Sequence, residues 1–146
     1  MKPWAYFDTS VIVKLYVAEG ATLEAKGLVR KHSLLSSVLL PLEVTAALAR
    51  RRAAGEVTPG DFSTALGHFQ EDQQFFEWVE LARGVRQRVE ALLQVHAIRT
   101  LDAIHIASAL LFKERVEIAM LPFITGDKRQ FLAAQTLGLE TLWVGE

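Results

Sequence analysis

Trp4-Ala5-Tyr6-Phe7-Asp8-Thr9-Ser10 is the stretch whose reading decides the fold. Four mostly apolar residues without helical spacing predict a short strand buried on both faces, as strands of a parallel sheet are. The strand runs directly into an acid and two hydroxyls. Val11-Ile12-Val13-Lys14-Leu15-Tyr16 then predicts a helix, expected to end at Gly20. An acid at that junction is either a helix cap or part of a site.

Outward from this unit the pattern repeats. A helix over residues 22–30 leads to a short apolar strand at 33–37, and Pro41 suits the first turn of a long helix because its missing N–H has no partner there. That helix carries Glu43 and ends in Arg50-Arg51-Arg52 before Gly55, an ordinary basic terminus with a glycine stop. Thr58-Pro59 opens another helix, in which Phe62, Ala65, Leu66 and Phe69 follow amphipathic spacing. A strand at 75–79 and a helix marked by Leu81, Val85, Val89, Leu92 and Leu93 come next. Thr100 is a candidate cap for a helix so apolar, from Leu101 to Leu111, that it must be largely buried. A strand at 121–125, a helix at 128–137 stopped by Gly138, and a strand at 139–144 complete the chain. Strands alternating with helices imply parallel pairing with helices on both faces, an α/β fold of three layers with four to five short strands. Ligands in such folds sit beyond the carboxyl ends of the strands, near a switch in strand order.

Composition sets limits on the chemistry. At 146 residues, 51% hydrophobic and 23% charged, with a net charge of -1, one globular domain is the simplest expectation, and nucleic acid must be met by a local basic patch rather than by the whole field. With no cysteine there are no disulfides, thiolate nucleophiles or thiolate metal sites. The sequence has no apolar run of membrane-spanning length, and Met1-Lys2-Pro3-Trp4 lacks the layout of a signal peptide, so a cytoplasmic protein is expected.

Four acids fall at the ends of elements: Asp8 after the first strand, Glu43 in the opening turns of the helix after the second, Asp102 in the first turn of the most buried helix, and Asp127 after the fourth strand. Three of them have an ordinary explanation, and Glu43 is the hardest to dismiss. Asp8 can cap a helix, Asp102 can be a favourable first-turn acid, and Thr125-Gly126-Asp127-Lys128 has the chemistry of a turn. Glu43 interrupts an apolar face made by Leu39, Leu40, Ala46 and Ala47, and Asp102 lies among buried positions, so something positive is expected near both. Converging carboxylates repel one another unless a cation offsets them, so neutralising Glu43 or Asp102 is expected to relieve strain in a metal-free chain. An oxygen-only donor set points to Mg²⁺ or Mn²⁺ rather than zinc, and such ions commonly act on phosphates.

The segments Tyr6-Phe7-Asp8-Thr9-Ser10-Val11, Pro41-Leu42-Glu43-Val44, Leu101-Asp102-Ala103-Ile104-His105-Ile106-Ala107 and Thr125-Gly126-Asp127-Lys128-Arg129 together resemble PIN-domain ribonucleases, most closely the VapC-like toxins of toxin–antitoxin pairs. The resemblance covers nearly the whole chain, and its specificity lies in the order and spacing of segments that are individually weak. It implies a PIN-like fold and a Mg²⁺- or Mn²⁺-dependent endoribonuclease whose acidic site is Asp8, Glu43, Asp102 and Asp127. Ser10 and Thr125 match the hydroxyls that support those acids. Asp127 is the only acid between Glu117 and Glu140, so no fifth acid is expected. The resemblance further implies an RNA substrate, a homodimer, and a small VapB-like antitoxin as partner. Lys14, Arg50, Arg51 and Lys128 are candidate RNA or antitoxin contacts; Arg52, Arg83, Arg86, Arg88 and Arg129 are weaker sources of local positive charge. His105 reads as a hydrogen-bonded core histidine rather than a catalytic base.

Four other readings compete. A phosphatase forming an aspartyl-phosphate wants a second acid two residues after the first, where this chain has Ser10. A receiver domain wants an aspartate after its third strand, where Glu80-Leu81-Ala82 stands instead. A PIN-domain housekeeping nuclease without an antitoxin, or a non-catalytic PIN-like interaction module, keeps the fold and changes the role.

Overall fold

In the computed structural model, which describes residues 1–18 and 20–145, five strands form one wholly parallel sheet in the order β3-β2-β1-β4-β5. The strands are β1 (Trp4–Phe7), β2 (Ser33–Ser37), β3 (Phe76–Val79), β4 (Phe123–Thr125) and β5 (Thr141–Trp143). The helices are α1 (Thr9–Ile12), α2 (Thr22–Lys31), α3 (Leu40–Ala53), α4 (Pro59–Asp72), α5 (Arg83–Val95), α6 (Thr100–Arg115) and α7 (Lys128–Thr136). The expected α/β class, strand number and layering are borne out. None of the described helices is long and apolar enough to cross a membrane.

The period-two alternation of the strands divides the core in two. Tyr6 and Phe123 point into a cluster with Val85, Val89, Ile106 and Ala134, beneath α5, α6 and α7. Their neighbours Ala5, Phe7 and Ile124 point the other way, into a cluster with Ile12, Val44, Leu48 and Phe69, beneath α1 to α4. The chain builds β1, β2 and β3 outward in one direction and then crosses to β4 and β5 on the other side of β1. Right-handed crossovers running in opposite directions put their helices on opposite faces, and the reversal falls between β1 and β4. Tyr6 pairs with Phe123 and Phe7 with Ile124, so the residues following both strands emerge side by side.

Several boundaries differ from the sequence-based expectation. The first helix stops well short of Gly20: α1 tightens into a 3₁₀ turn over Val13–Leu15 and ends at Tyr16. The β-branched run Val11-Ile12-Val13 is a modest helix former. Tyr16 also turns away to donate to Asp72 Oδ2 at 2.8 Å and to stack edge-on to Phe69. Thr100 is not a cap; Arg99 holds the extended N-cap position and Thr100 is already helical. β4 begins at Phe123 rather than 121, after Pro122, which has no N–H for a ladder. β3 begins at Phe76, because Gln73–Phe75 form a 3₁₀ turn, and β5 covers only Thr141–Trp143. Pro41 in the first turn of α3, the Thr58 cap accepting from Asp61 N at 3.1 Å, and Gly55 just past α3 with φ 76° agree with expectation.

Candidate active site

Asp8 leaves β1 at the switch point. Its backbone has the extended geometry of an N-cap, yet its side chain makes no capping bond, and neither Thr9 nor Ser10 supplies one. The carboxylate is 6% exposed and is engaged sideways instead. Oδ2 accepts from Ser10 Oγ at 2.7 Å and from Thr125 Oγ1 at 2.9 Å. The two hydroxyls lie 3.3 Å apart; Ser10 Oγ accepts from Gly126 N at 2.8 Å and Thr125 Oγ1 from Asp127 N at 3.0 Å. The β1 and β4 termini are thus laced together, which fixes the Asp8 carboxylate in one orientation. Gly126 is required at this point, because a Cβ there would collide with the Val144 carbonyl and crowd Lys14 Cε at 3.2 Å.

Glu43, in the first turn of α3, reaches across to α6. Its Oε1 lies 2.6 Å from His105 Nε2, and Asp8 Oδ1 lies 3.7 Å from the same nitrogen. His105 Nδ1 in turn meets the Tyr6 hydroxyl at 2.7 Å. Burial disfavours the imidazolium, but the Glu43 hydrogen bond together with the Asp8, Glu43 and Asp102 charges outweighs it and holds the His105 pKa above its ordinary value. The partner expected near Glu43 is therefore His105, whereas the raised pKa of Asp102 is opposed first by Arg129 and then by His105. This corrects the expectation that Glu43 faces chiefly repulsion, since its nearest ionisable neighbour is the His105 ring, to which it is hydrogen-bonded.

Asp102 stands in the first turn of α6, half-buried. Partial burial, then Asp127, then Asp8 raise its pKa, and Arg129 and His105 oppose the shift. Asp102, Asp127 and Asp8 therefore lie within one electrostatic neighbourhood. Asp127 also does what its turn chemistry predicts: it is the N-cap of α7, with Oδ1 accepting from Arg129 N at 2.9 Å and Gln130 N at 3.4 Å. Among the described residues no three His, Asp or Glu side chains stand close enough to close around a single ion as arranged here. Two reasons are visible: Glu43 is drawn onto His105, and one Asp127 oxygen onto the α7 terminus. In donor chemistry the set still fits a hard divalent ion, with only oxygen among the four acids and Asp8 held rigidly at the centre.

The candidate contact residues divide. Lys14, Arg50 and Arg51 line a cleft of about 610 Å³ with Thr9 and Ser10; none of the four acids lines it, and its link to the site is Ser10, which donates to Asp8. Arg52 instead lies over the Phe62 ring at 4.1 Å, packing α3 on α4. Arg88 is committed to Glu114 by bonds of 3.0 and 2.8 Å that tie α5 to α6. Lys128 is exposed in the first turn of α7 beside Asp127. A second cleft of about 610 Å³, lined by Trp4, Tyr16, His32 and Phe76, opens near the starts of β1, β2 and β3, away from the acids.

Two polar residues at the site escaped the sequence reading. Gln130 is fully buried, and its Nε2 donates to the Asp102 carbonyl at 3.4 Å, joining α7 to α6. Its signal in the sequence is a polar residue on the same helical face as Ala134 and Leu137. Tyr6 reads as core, and nothing in its local spacing reveals that its hydroxyl meets a histidine 99 positions later.

Comparison with known proteins agrees with this architecture. The PIN domain family matches residues 5–135. Ribonuclease VapC45 of Mycobacterium tuberculosis (strain CDC 1551 / Oshkosh) is 36% identical over 109 residues, 74% of this chain and 76% of that protein. Ribonuclease VapC46 of Mycobacterium tuberculosis (strain ATCC 25618 / H37Rv) is 33% identical over 138 residues, 94% of this chain and 95% of that protein. A chain of a toxin–antitoxin complex from Klebsiella pneumoniae has the same fold, with a TM-score of 0.59 and 19% identity over 87% of this chain and 89% of its own. A parallel sheet in this order, acids at its switch point and a match across residues 5–135 lead to one conclusion: the chain belongs to the PIN-domain family.

Proposed function

We propose that this protein is a divalent-metal-dependent endoribonuclease of the VapC type, and that Asp8, Glu43, Asp102 and Asp127 form its metal-binding and catalytic site. The observation that carries the reading is the rigid seating of Asp8 at the β1/β4 switch point, within the same charged neighbourhood as Asp102 and Asp127. Asp8, Asp102 and Asp127, joined by Glu43 from α3, would hold Mg²⁺ or Mn²⁺. Such an ion, when bound, supplies Lewis-acid polarisation of a phosphodiester and a water of lowered pKa.

The chain's own groups account for the remaining work. Ser10 and Thr125 donate to Asp8 Oδ2, which leaves Oδ1 for the ion and prevents the carboxylate from rotating. Lys14, Arg50 and Arg51 draw the RNA backbone into the cleft beside Ser10, with Lys128 adding positive charge at the α7 end. Phosphate contacts of this kind position a strand without reading its sequence. The relatives named VapC ribonucleases and the structural neighbour from a toxin–antitoxin complex support an RNA substrate and a small VapB-like antitoxin as partner. A homodimer belongs to the same reading.

The test is cleavage of mixed structured RNAs by the purified protein with Mg²⁺, with a chelator, and as Asp8→Asn. Cleavage that requires the metal and is lost in the variant is expected. A folded, metal-loaded preparation that cuts nothing, or an Asp8→Asn protein that cuts equally well, would overturn the assignment.

A further inference from the structure

Behind the acids, His105 and Tyr6 form a buried hydrogen-bonded pair that has no part in the chemistry described above. His105 is 2% exposed, yet it carries two polar contacts in opposite directions: Nδ1 to the Tyr6 hydroxyl at 2.7 Å and Nε2 to Glu43 Oε1 at 2.6 Å. Tyr6 is fixed in turn. It is fully buried, its ring stacks on Phe123 at 5.2 Å with planes 6° apart, and it meets the His105 ring edge-on at 5.7 Å. A buried neutral imidazole has one donor and one acceptor nitrogen, and both are paired. Here the two partners lie at opposite ends of the ring, and one of them is a carboxylate at the candidate metal site.

The geometry assigns His105 as a positioning residue for Glu43, with Tyr6 positioning His105 in turn, so that a relay running from the sheet through α6 to α3 sets the affinity of the site for a divalent ion. This rests on the proposed function, because it takes Glu43 as a ligand. A neutral ring suffices: a Tyr6 hydroxyl donating to Nδ1 places the ring proton on Nε2, where it donates to Glu43. The bond occupies Oε1 and leaves the other carboxylate oxygen for an ion. Glu43 projects from the first turn of α3, is only half-buried and meets His105 across the top of the sheet, so without that bond its side chain would have several rotamers open. Bonding to His105 selects one. His105 lies one helical turn beyond Asp102 on α6, so the relay also sets the spacing between Glu43 and Asp102. Outer partners that orient a metal's ligands typically change affinity by 10–100-fold when removed.

The experiment measures Mn²⁺ affinity of the metal-free protein by titration calorimetry, and separately kcat and KM for RNA cleavage. Four variants are compared with wild type: His105→Leu, His105→Gln, Tyr6→Phe and Asp8→Asn. His105→Leu is expected to weaken Mn²⁺ binding about 10–100-fold, with kcat falling at subsaturating metal and KM for RNA unchanged. Glutamine retains an N–H donor and is expected to restore part of the loss. Tyr6→Phe keeps the ring packing and is expected to move affinity in the same direction by less. Should His105→Leu fail to fold, Tyr6→Phe and His105→Gln decide the matter. Folded relay variants that bind Mn²⁺ as wild type does, or more tightly, overturn the inference. If Asp8→Asn also binds normally, the metal-site reading itself fails; if Asp8→Asn alone loses binding, only the relay does.

Discussion

Replacing Thr125 by valine removes one hydroxyl from a fully buried strand residue and leaves the shape of the side chain nearly unchanged. Three contacts go with it: the donation to Asp8 Oδ2 at 2.9 Å, the acceptance from Asp127 N at 3.0 Å and a longer contact with Ser10 Oγ at 3.3 Å, of which the first two dominate. A hydrogen bond to a charged group is worth about 1.5–3 kcal/mol, and the lower end applies here because Ser10 still donates to the same oxygen at 2.7 Å. An orphaned, partly buried backbone N–H adds about 1 kcal/mol. The sum is about 2.5 kcal/mol, which for a chain of this size lowers Tm by roughly 5–10 °C. Thermal and denaturant unfolding of the metal-free protein provide the assay, with Thr125→Ser as the control that keeps the hydroxyl. In an Asp8→Asn background the same substitution should cost clearly less, because the charged acceptor is gone. A Tm within about 1 °C of wild type, or an equal loss in both backgrounds, would refute the idea that Thr125 anchors the Asp8 carboxylate.

Further outcomes follow from the same geometry. Asp102 is raised by burial and by Asp127 and Asp8, so its ionisation opposes folding; Asp102→Asn should raise the metal-free Tm at pH 7, and the gap should close as pH falls below about 4, where folded and unfolded carboxyls are both protonated. His105 has a raised folded pKa, so its contribution is complete below about pH 6.5 and is lost as pH rises through the folded value; Tm of the metal-free protein should decline over that window. Glu43→Gln should flatten the decline and lower Tm, and an unchanged slope in a pH series of melts would remove the Glu43–His105 pair from the account. Arg50→Gln should weaken RNA binding and make its dependence on salt shallower, with only a small fall in Tm from losing one cation at the α3 terminus; an unchanged slope of log affinity against log salt would remove the cleft from the binding surface. Gly126→Ala forces a Cβ against the Val144 carbonyl and should cost about 1–3 kcal/mol in denaturant unfolding.

Much of this architecture follows from local pattern. Trp4 to Phe7 as a buried strand, Pro41 in the first turn of α3, Thr58 as a cap and the apolar α6 are each dictated by residues within a turn or two of one another. Alternation of strands and helices then implies a parallel sheet, and its C-terminal edge is where the four acids were to be sought. Local pattern fails where tertiary contacts override it, as when Tyr16 leaves the helical path to meet Asp72 and Phe69.

The sequence by itself determined the element order, the two-faced core and the positions of the acids, because hydrophobic period and turn chemistry act over a few residues. Only the tertiary structure decided which oxygens of Asp8 and Glu43 are already engaged. Asp127 gives one oxygen to its own helix, as its turn chemistry predicts, but Asp8 receives a hydroxyl from Thr125, 117 residues away, and Glu43 gains a histidine 62 residues away. Those pairings depend on strand order and on the distance between helices on opposite faces of the sheet, which no local spacing encodes.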